Sequence, residues 1–224
     1  MTISEVVRAI ADRGLAYRGT AQLKDGGRYE GLNASSLVLV GFSGDKGWES
    51  FASSREWHEG GTDVLDRWSR RILKSIAHEV GAQPLFPFEG PPWWPFQSWA
   101  LKAETVFPSP IGILIHPKWG LWHSWRGALA FQRPLEAPAP APSVSPCEVC
   151  AEKSCLTACP VHAFAAAEYD VARCLGFLGE IDGKGCMTSG CKARRACPIG
   201  IEYRYHSEQA RFHMNAFTEK QQQS

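Results

Sequence analysis

Apolar residues recur at spacings of three and four between residues 64 and 80, which is the period of a helix that buries one face. Thr62 can cap the start of this helix, and Gly81 can end it in a left-handed conformation. The apolar positions are Val64, Leu65, Trp68, Ile72, Leu73, Ile76 and Val80. The charged positions between them, which we expect to face solvent, are Arg67, Arg70, Arg71 and Lys74.

Shorter patterns predict further elements on both sides of this helix. Residues 3–14 have the apolar spacing of a first helix, and residues 36–41, SLVLVG, form an apolar run typical of a buried strand. Alternation through residues 111–131, IGILIHPKWGLWHSWRGALAF, predicts two or three strands. This mixture of helices and strands predicts an α+β fold for the first part of the chain.

A proline-rich segment predicts the domain organisation. Residues 133–146, RPLEAPAPAPSVSP, alternate proline with alanine and can sustain neither a helix nor an internal strand. We therefore expect a linker there, between an α+β domain of residues 1–132 and a smaller domain of residues 147–224.

Composition excludes several classes of protein. The 224 residues, 44% of them hydrophobic, are enough to bury a core. The N-terminus lacks the pattern of a secretion signal, and no run reaches the roughly 18 apolar residues of a membrane span. We therefore expect a cytoplasmic protein without a membrane partner. The net charge of +1, with both signs mixed along the chain, gives no indication of a nucleic-acid partner.

All eight cysteines fall within the smaller domain, in two quartets that each end in Cys-Pro. In a reducing compartment, clustered cysteines indicate metal or redox chemistry rather than disulfides. Two-cluster ferredoxins bind each 4Fe-4S cluster with three cysteines of one motif and the Cys-Pro cysteine of the other. The crossed assignment is Cys147, Cys150, Cys155 and Cys197 for one cluster, and Cys159, Cys174, Cys186 and Cys191 for the other.

Two zinc sites of four cysteines each are the alternative interpretation of the same residues. Three ligands in one loop with paired Cys-Pro motifs favour the clusters. The spacings are longer than those of bacterial ferredoxins, however, because four residues separate Cys150 from Cys155. Because of these insertions, the sequence indicates the total of eight ligands more clearly than it indicates which cysteine binds which cluster.

Three segments resemble a known family, the iron-sulfur and cobalamin-dependent epoxyqueuosine reductases, with the reductive dehalogenases as more distant relatives. These segments are VARCLGFL around Cys174, FPFEGPP around Glu89, and GILIHPKWGLWHSWRGALAF before the linker. The resemblance covers residues 60–200, and its specific motifs lie in the cysteine domain. It implies an N-terminal corrinoid-reductase-like domain followed by a ferredoxin-like domain with two 4Fe-4S clusters.

The resemblance also implies a catalytic acid at Glu89, where the family has an aspartate. A carboxyl group among the neighbouring aromatic rings would be desolvated, which suits a proton donor. The alternative role is to cap a helix that begins near Trp93.

A dense group of tryptophans is the candidate binding surface for cobalamin, since broad apolar rings suit a tetrapyrrole-like face. Its members are Trp93, Trp94, Trp119, Trp122 and Trp125. Core packing, a flavin, or the docking of a protein partner are the alternatives. His116, His123 and His162 are assigned no role as cobalt ligands.

The tail, residues 202–217, predicts one amphipathic helix with Tyr205, Phe212 and Ala216 on one face. Family members that modify tRNA carry a further helical-repeat region after their clusters, and only 27 residues follow Cys197 here. We therefore do not expect tRNA as the substrate.

Two functions remain open from the sequence. The first is a reductase that takes electrons from a low-potential donor of the ferredoxin or flavodoxin type. It passes them through two clusters to cobalamin, and then cleaves a small molecule or processes the cobalamin itself. The second is a ferredoxin-like electron carrier whose first domain docks a redox partner.

Overall fold

The computed structural model describes residues 1–23, 32–44, 47–164 and 168–222. These residues divide into two compact units. The first contains Met1–Thr105 and His123–Pro142, and the second contains Val106–Trp122 and the chain from Ser143 onward. The sequence instead assigned residues 106–122 to the first domain. Their apolar side chains pack with the cysteine loops, which explains the difference.

The first unit is built on a four-stranded antiparallel sheet, and the mixed α+β prediction is confirmed. Its order is β1 (Ala16–Gln22), β2 (Ser36–Ser43), β4 (His123–Phe131) and β3 (Gln83–Leu85). Every residue of β2 is buried, because this strand is paired on both sides and its apolar run has no polar face.

Among the described residues, five helices belong to the same unit. They are α1 (Ile3–Ala11), α2 (Trp48–Ala52), α3 (Arg55–Glu59), α4 (Val64–Val80) and α5 (Phe96–Ala103). The long helix α4 is confirmed, and Gly81 ends it with a φ of 66°. The prediction that Thr62 caps this helix is wrong. The residue before α4 is Asp63, whose backbone is left-handed like that of Gly81, and no side chain caps the helix. Arg67 instead donates to the backbone carbonyl of Thr62 at 3.1 Å.

The predicted strands in residues 111–131 are only partly present. Only residues 123–131 form a strand, β4. The preceding residues make two isolated bridges, Phe107 with Ile115 and His116 with Gly120. Pro117 and the left-handed Gly120 favour a tight turn there over a continuous strand. Residues 133–146, all of which the structure describes, contain no helix or strand, and their role as a linker stays a prediction.

The described helices of the second unit are short ones connected by the cysteine loops and one long helix in the tail. They are α6 (Ser154–Thr157), α7 (Val171–Leu178), α8 (Lys184–Ser189), α9 (Lys192–Arg195) and α10 (Ser207–Gln222), with single 3-10 turns at Ile181–Gly183 and Ile201–Tyr203. The tail helix starts later than predicted, so Tyr205 lies before α10 and packs on Trp122. No helix of the described ranges is long and apolar enough to cross a membrane.

Candidate metal centres

The first set of cysteines surrounds a small cavity of about 20 Å³ in the second unit. Two of the four lie in the loop that leads into α6, one lies within α6, and the fourth follows the end of α9. The set is Cys147, Cys150, Cys155 and Cys197. Proline and isoleucine side chains line the rest of the cavity with Lys153 and Ser154, so the sulfurs lie in a mainly apolar setting.

The second set surrounds a separate and larger cavity of about 420 Å³. Its cysteines lie near the end of the first motif, in α7, in α8 and directly before α9: Cys159, Cys174, Cys186 and Cys191. Aromatic rings line this cavity, among them Phe164, Tyr169, Phe177 and Phe217. The structure thus brings the eight cysteines together in two sets of four, with each Cys-Pro cysteine beside three cysteines of the other motif.

Five of the eight thiols are held where ionisation is unfavourable without a cationic partner. Burial, followed by the charge of neighbouring cysteines, raises the pKa of Cys147 and Cys155 in the first set. Burial likewise raises the pKa of Cys174, Cys191 and Cys197. Positive iron would offset this cost, because the thiolate is the form that binds metal.

Backbone amides near the sulfurs complete the donor set. The N–H of Ala163 donates to Cys159 Sγ at 3.4 Å. Cys191 has backbone hydrogen bonds from Ala193 and Arg194. Four thiolates with amide donors fit an iron-sulfur cluster. A single zinc ion needs its sulfurs about 2.3 Å from one centre, and no group of the described His, Cys, Asp or Glu side chains has the arrangement of a single-ion site.

Two glycines that the sequence analysis did not single out allow a close backbone approach in the same unit. A side chain on Gly120 would overlap the carbonyl of Ile199, and one on Gly200 would overlap the backbone of Trp119. Both glycines have positive φ angles, 57° and 72°. This contact joins the segment 106–122 to the residues that follow Cys197, and no sequence spacing indicates it.

Glu89 is not in the apolar setting that the sequence led us to expect. Its side chain is 44% exposed and pairs with Arg70 at 3.1 Å, so the expected desolvation is absent. Arg70 in turn lies over the ring of Phe88, 5.0 Å from its centroid. Glu89 also caps no helix, because α5 begins at Phe96. Its role as a catalytic acid stays a prediction.

The five candidate tryptophans lie in different environments. Trp93 is 63% exposed, whereas Trp94 and Trp125 line one open hollow of about 490 Å³ in the first unit. Trp119 and Trp122 belong to the second unit.

Both tryptophans of the second unit have partners there. Trp119 stacks on His116 at 4.0 Å, and the buried Trp122 contacts Tyr205 at 5.2 Å. The role of these tryptophans in binding cobalamin stays a prediction.

A buried ionic network in the first unit was not predicted. Arg18, fully buried, donates to both carboxylate oxygens of Glu104 at 3.0 Å and to the carbonyl of Phe42 at 2.6 Å. The indole N–H of Trp125 donates to the same carboxylate at 2.7 Å, and the ring of His123 bonds Arg18 at 3.0 Å. Burial raises the pKa of Glu104, although Arg18 opposes the rise. The pair lies 86 residues apart in sequence, so no local pattern could indicate it.

Comparison with solved structures identifies a related fold. Three structures of epoxyqueuosine reductase match the chain with TM-scores of 0.57, 0.54 and 0.56, at 16%, 16% and 15% identity. The fold is related to that of epoxyqueuosine reductase. The matches cover 93%, 91% and 92% of this chain and 68%, 66% and 67% of the others, so the chain spans about two thirds of their length.

The three structures differ in what they contain. One was solved with an epoxyqueuosine-modified tRNA-Tyr stem loop. Another, from Bacillus subtilis, has its catalytic aspartate loop swung out of the active site, and the third is selenomethionine-labelled. No family model matches the chain, and no curated protein matches it. The likeness to reductive dehalogenases stays a prediction.

Proposed function

We propose that this protein is an iron-sulfur oxidoreductase that carries single electrons on two 4Fe-4S clusters. The observation that supports this function best is the grouping of eight cysteines around two cavities, four at each. The ligands would be Cys147, Cys150, Cys155 and Cys197 for the first cluster, and Cys159, Cys174, Cys186 and Cys191 for the second. The related fold of a known reductase supports the same class of activity.

Clusters of this kind supply one-electron transfer at a potential that the protein sets. The described side chains contribute apolar surroundings at the first cavity, and Lys153 opposes the rise in the pKa of the Cys147 thiol there. A positive charge beside a thiolate favours the more negative, reduced state. The electron donor we propose is a low-potential protein of the ferredoxin or flavodoxin type.

For the electron acceptor, the family resemblance of the sequence proposes cobalamin and a reductive cleavage, with Glu89 as the proton source. The hollow lined by Trp94 and Trp125 supports an apolar ligand in the first unit. The other three tryptophans of the candidate group do not line this hollow.

A modified tRNA is the second candidate substrate, contrary to our expectation from the sequence. The observation that favours it is the related structure solved with a tRNA stem loop. Retention of an epoxyqueuosine-modified stem loop by this chain in a filter-binding assay would support this substrate over a small molecule.

Iron and sulfide analysis of anaerobically purified protein tests the proposed function. We expect about eight irons per chain, and about four after serine replacement of a ligand. Cys150→Ser and Cys197→Ser should remove the same electron paramagnetic resonance signal, whereas Cys159→Ser and Cys186→Ser should remove the other. If Cys159→Ser instead removes the signal that Cys150→Ser removes, the crossed assignment is wrong.

Titration of the same sample with cobalamin tests the acceptor. A change of the cobalt spectrum to a base-off form at one equivalent would support a corrinoid enzyme. If the iron is present while the spectrum stays that of free cobalamin, the chain is better described as an electron carrier.

A further inference from the structure

One segment of the second unit is basic throughout. Residues 183–201 contain four basic side chains and no acidic one, although the whole chain has a net charge of only +1. The segment includes α8 and α9 and carries Cys186 and Cys191 of the second set. Its basic residues are Lys184, Lys192, Arg194 and Arg195. Positive charge is therefore concentrated where two ligands of the proposed second cluster lie.

The basic side chains of α8 and α9 lie close to one another. A β carbon built on Gly185 would be 3.7 Å from Cε of Lys192, so the stem of Lys192 lies over the start of α8, beside Lys184. Arg195 donates to the carbonyl of Ser189, at the end of α8, at 3.1 Å. Lys184 and Lys192 are exposed, and Arg195 is half-buried. These three residues form one basic surface.

No carboxylate neutralises this charge among the described residues. Their salt bridges all involve other cations. Arg194 is instead held against the protein, because it donates to the carbonyl of Leu121 at 3.1 Å and lies 4.5 Å from the ring centre of Trp122. The exposed acids Glu180 and Asp182 precede the basic segment in sequence. The positive charge of the surface is therefore available to a partner.

The basic surface adjoins the second cavity, since Lys192 and Arg194 line both. No carboxylate side chain lines this cavity in the part of the chain that the structure describes. The rest of the lining is mainly apolar and includes Phe177 and Met214. Apolar surface beside charged residues is typical of a site that binds another protein. It favours a protein partner over a nucleic acid, whose backbone is recognised mainly by charge.

We propose that Lys184, Lys192 and Arg195 form the docking surface for an acidic one-electron donor protein, which reduces the second cluster. One electron leaves the donor and enters the cluster, so the donor is oxidised and the cluster is reduced, and no bond forms or breaks. Complementary charge speeds such an encounter and fixes its orientation. The inference deepens the proposed function and rests on it, because it requires a cluster at this cavity.

Binding of an acidic flavodoxin to the complete chain with its clusters, measured by titration calorimetry, tests the proposal. Both proteins are kept oxidised, so the measurement does not depend on turnover. Lys192→Glu reverses one charge of the surface, and we expect binding to become about tenfold weaker at low ionic strength. The difference should shrink as salt is added, because salt screens exposed charges. Lys184→Glu should weaken binding in the same way, and Lys184 lines neither cavity.

Lys102→Glu is the matched control, since Lys102 is an exposed lysine of α5 in the first unit and takes the same change of charge. This variant should bind flavodoxin as the wild type does. Stopped-flow reduction by flavodoxin hydroquinone is the second readout. Lys192→Glu and Lys184→Glu should lower its second-order rate constant about tenfold at low ionic strength, whereas Lys102→Glu should not change it.

The outcomes separate this inference from the proposed function. If all three variants hold about eight irons and bind flavodoxin equally well, the inference is wrong while the proposed function stands. If Lys192→Glu loses iron, the comparison of Lys184→Glu with Lys102→Glu decides in the same way. If the two surface variants lose affinity for an epoxyqueuosine-modified stem loop and keep it for flavodoxin, the surface binds nucleic acid and the inference is wrong. Wild-type protein that binds no iron would overturn both.

Discussion

The buried pair of Arg18 and Glu104 gives a sharp prediction about the first unit. Arg18→Met removes three nitrogen-to-oxygen contacts of 3.0–3.1 Å and leaves the carboxylate with the indole N–H of Trp125. The side chains of the pair are 0% and 8% exposed, so water cannot replace the lost partner. Breaking a buried pair on one side costs about 3–5 kcal/mol. For a chain of this size, such a loss lowers the melting temperature by roughly 6–20 °C.

Urea unfolding of the complete chain, followed by circular dichroism, measures this cost. Arg13→Met is the matched control, because the Arg13–Glu79 pair is 27% and 50% exposed and such surface pairs contribute less than about 1 kcal/mol. Burial already raises the pKa of Glu104, and loss of Arg18 should raise it further.

Because the folded state then favours the protonated acid, Arg18→Met should lose stability more steeply than the wild type as the pH rises above the ordinary carboxyl pKa of 4.5. If Arg18→Met and Arg13→Met lower the free energy of unfolding by the same amount, the buried pair does not have the energetic role that we assign to it.

Three further predictions concern single residues. Arg71 lowers the pKa of Glu56 from 4.5 to about 2. After a discount for the partly exposed arginine, this pair contributes roughly 2 kcal/mol to the free energy of unfolding. The contribution is complete above pH 4.5 and is lost as the pH falls toward 2. Acid unfolding curves of wild type and Glu56→Gln should therefore converge in that range, and parallel curves would refute this linkage. Gly120→Ala should lower the free energy of unfolding, measured in urea, by more than Gly112→Ala does. Both positions have positive φ, worth about 1–3 kcal/mol of strain, but only at Gly120 would the new methyl overlap a neighbouring backbone. Asp170→Ala should destabilise the chain by about 1 kcal/mol through loss of the α7 cap, which Asp170→Asn should largely restore. Equal stability of the two variants would argue against that cap.

Local periodicity predicted the local structure of this protein well. The apolar spacing from Val64 to Val80 and the stop at Gly81 correspond to α4, and the run at Ser36 corresponds to the most buried strand. The helix and the strand each form because the side chains along one element can be buried together, and the apolar pattern of the sequence shows directly which side chains these are.

The features that were missed depend on contacts between distant residues. Arg18 meets Glu104 across 86 positions, and Glu89 pairs with Arg70 on α4 instead of entering an apolar pocket. Spacing along the chain reveals candidate ligands such as the cysteines, but it does not show which charges or donors the fold places beside them.

The division of the chain into interleaved units has a consequence for synthesis on the ribosome. Residues 106–122 belong to the unit of the cysteines, and the chain then returns to supply β4, an interior strand of the sheet. The sheet cannot close until β4 has emerged, and by then the first segment of the cysteine unit has already left the ribosome. That segment, with the apolar Ile111, Ile115 and Leu121, must wait for partners translated later. Completion of the cysteine unit is therefore a late event in the synthesis of each chain, and a gene fragment that starts at the linker would lack part of that unit's core.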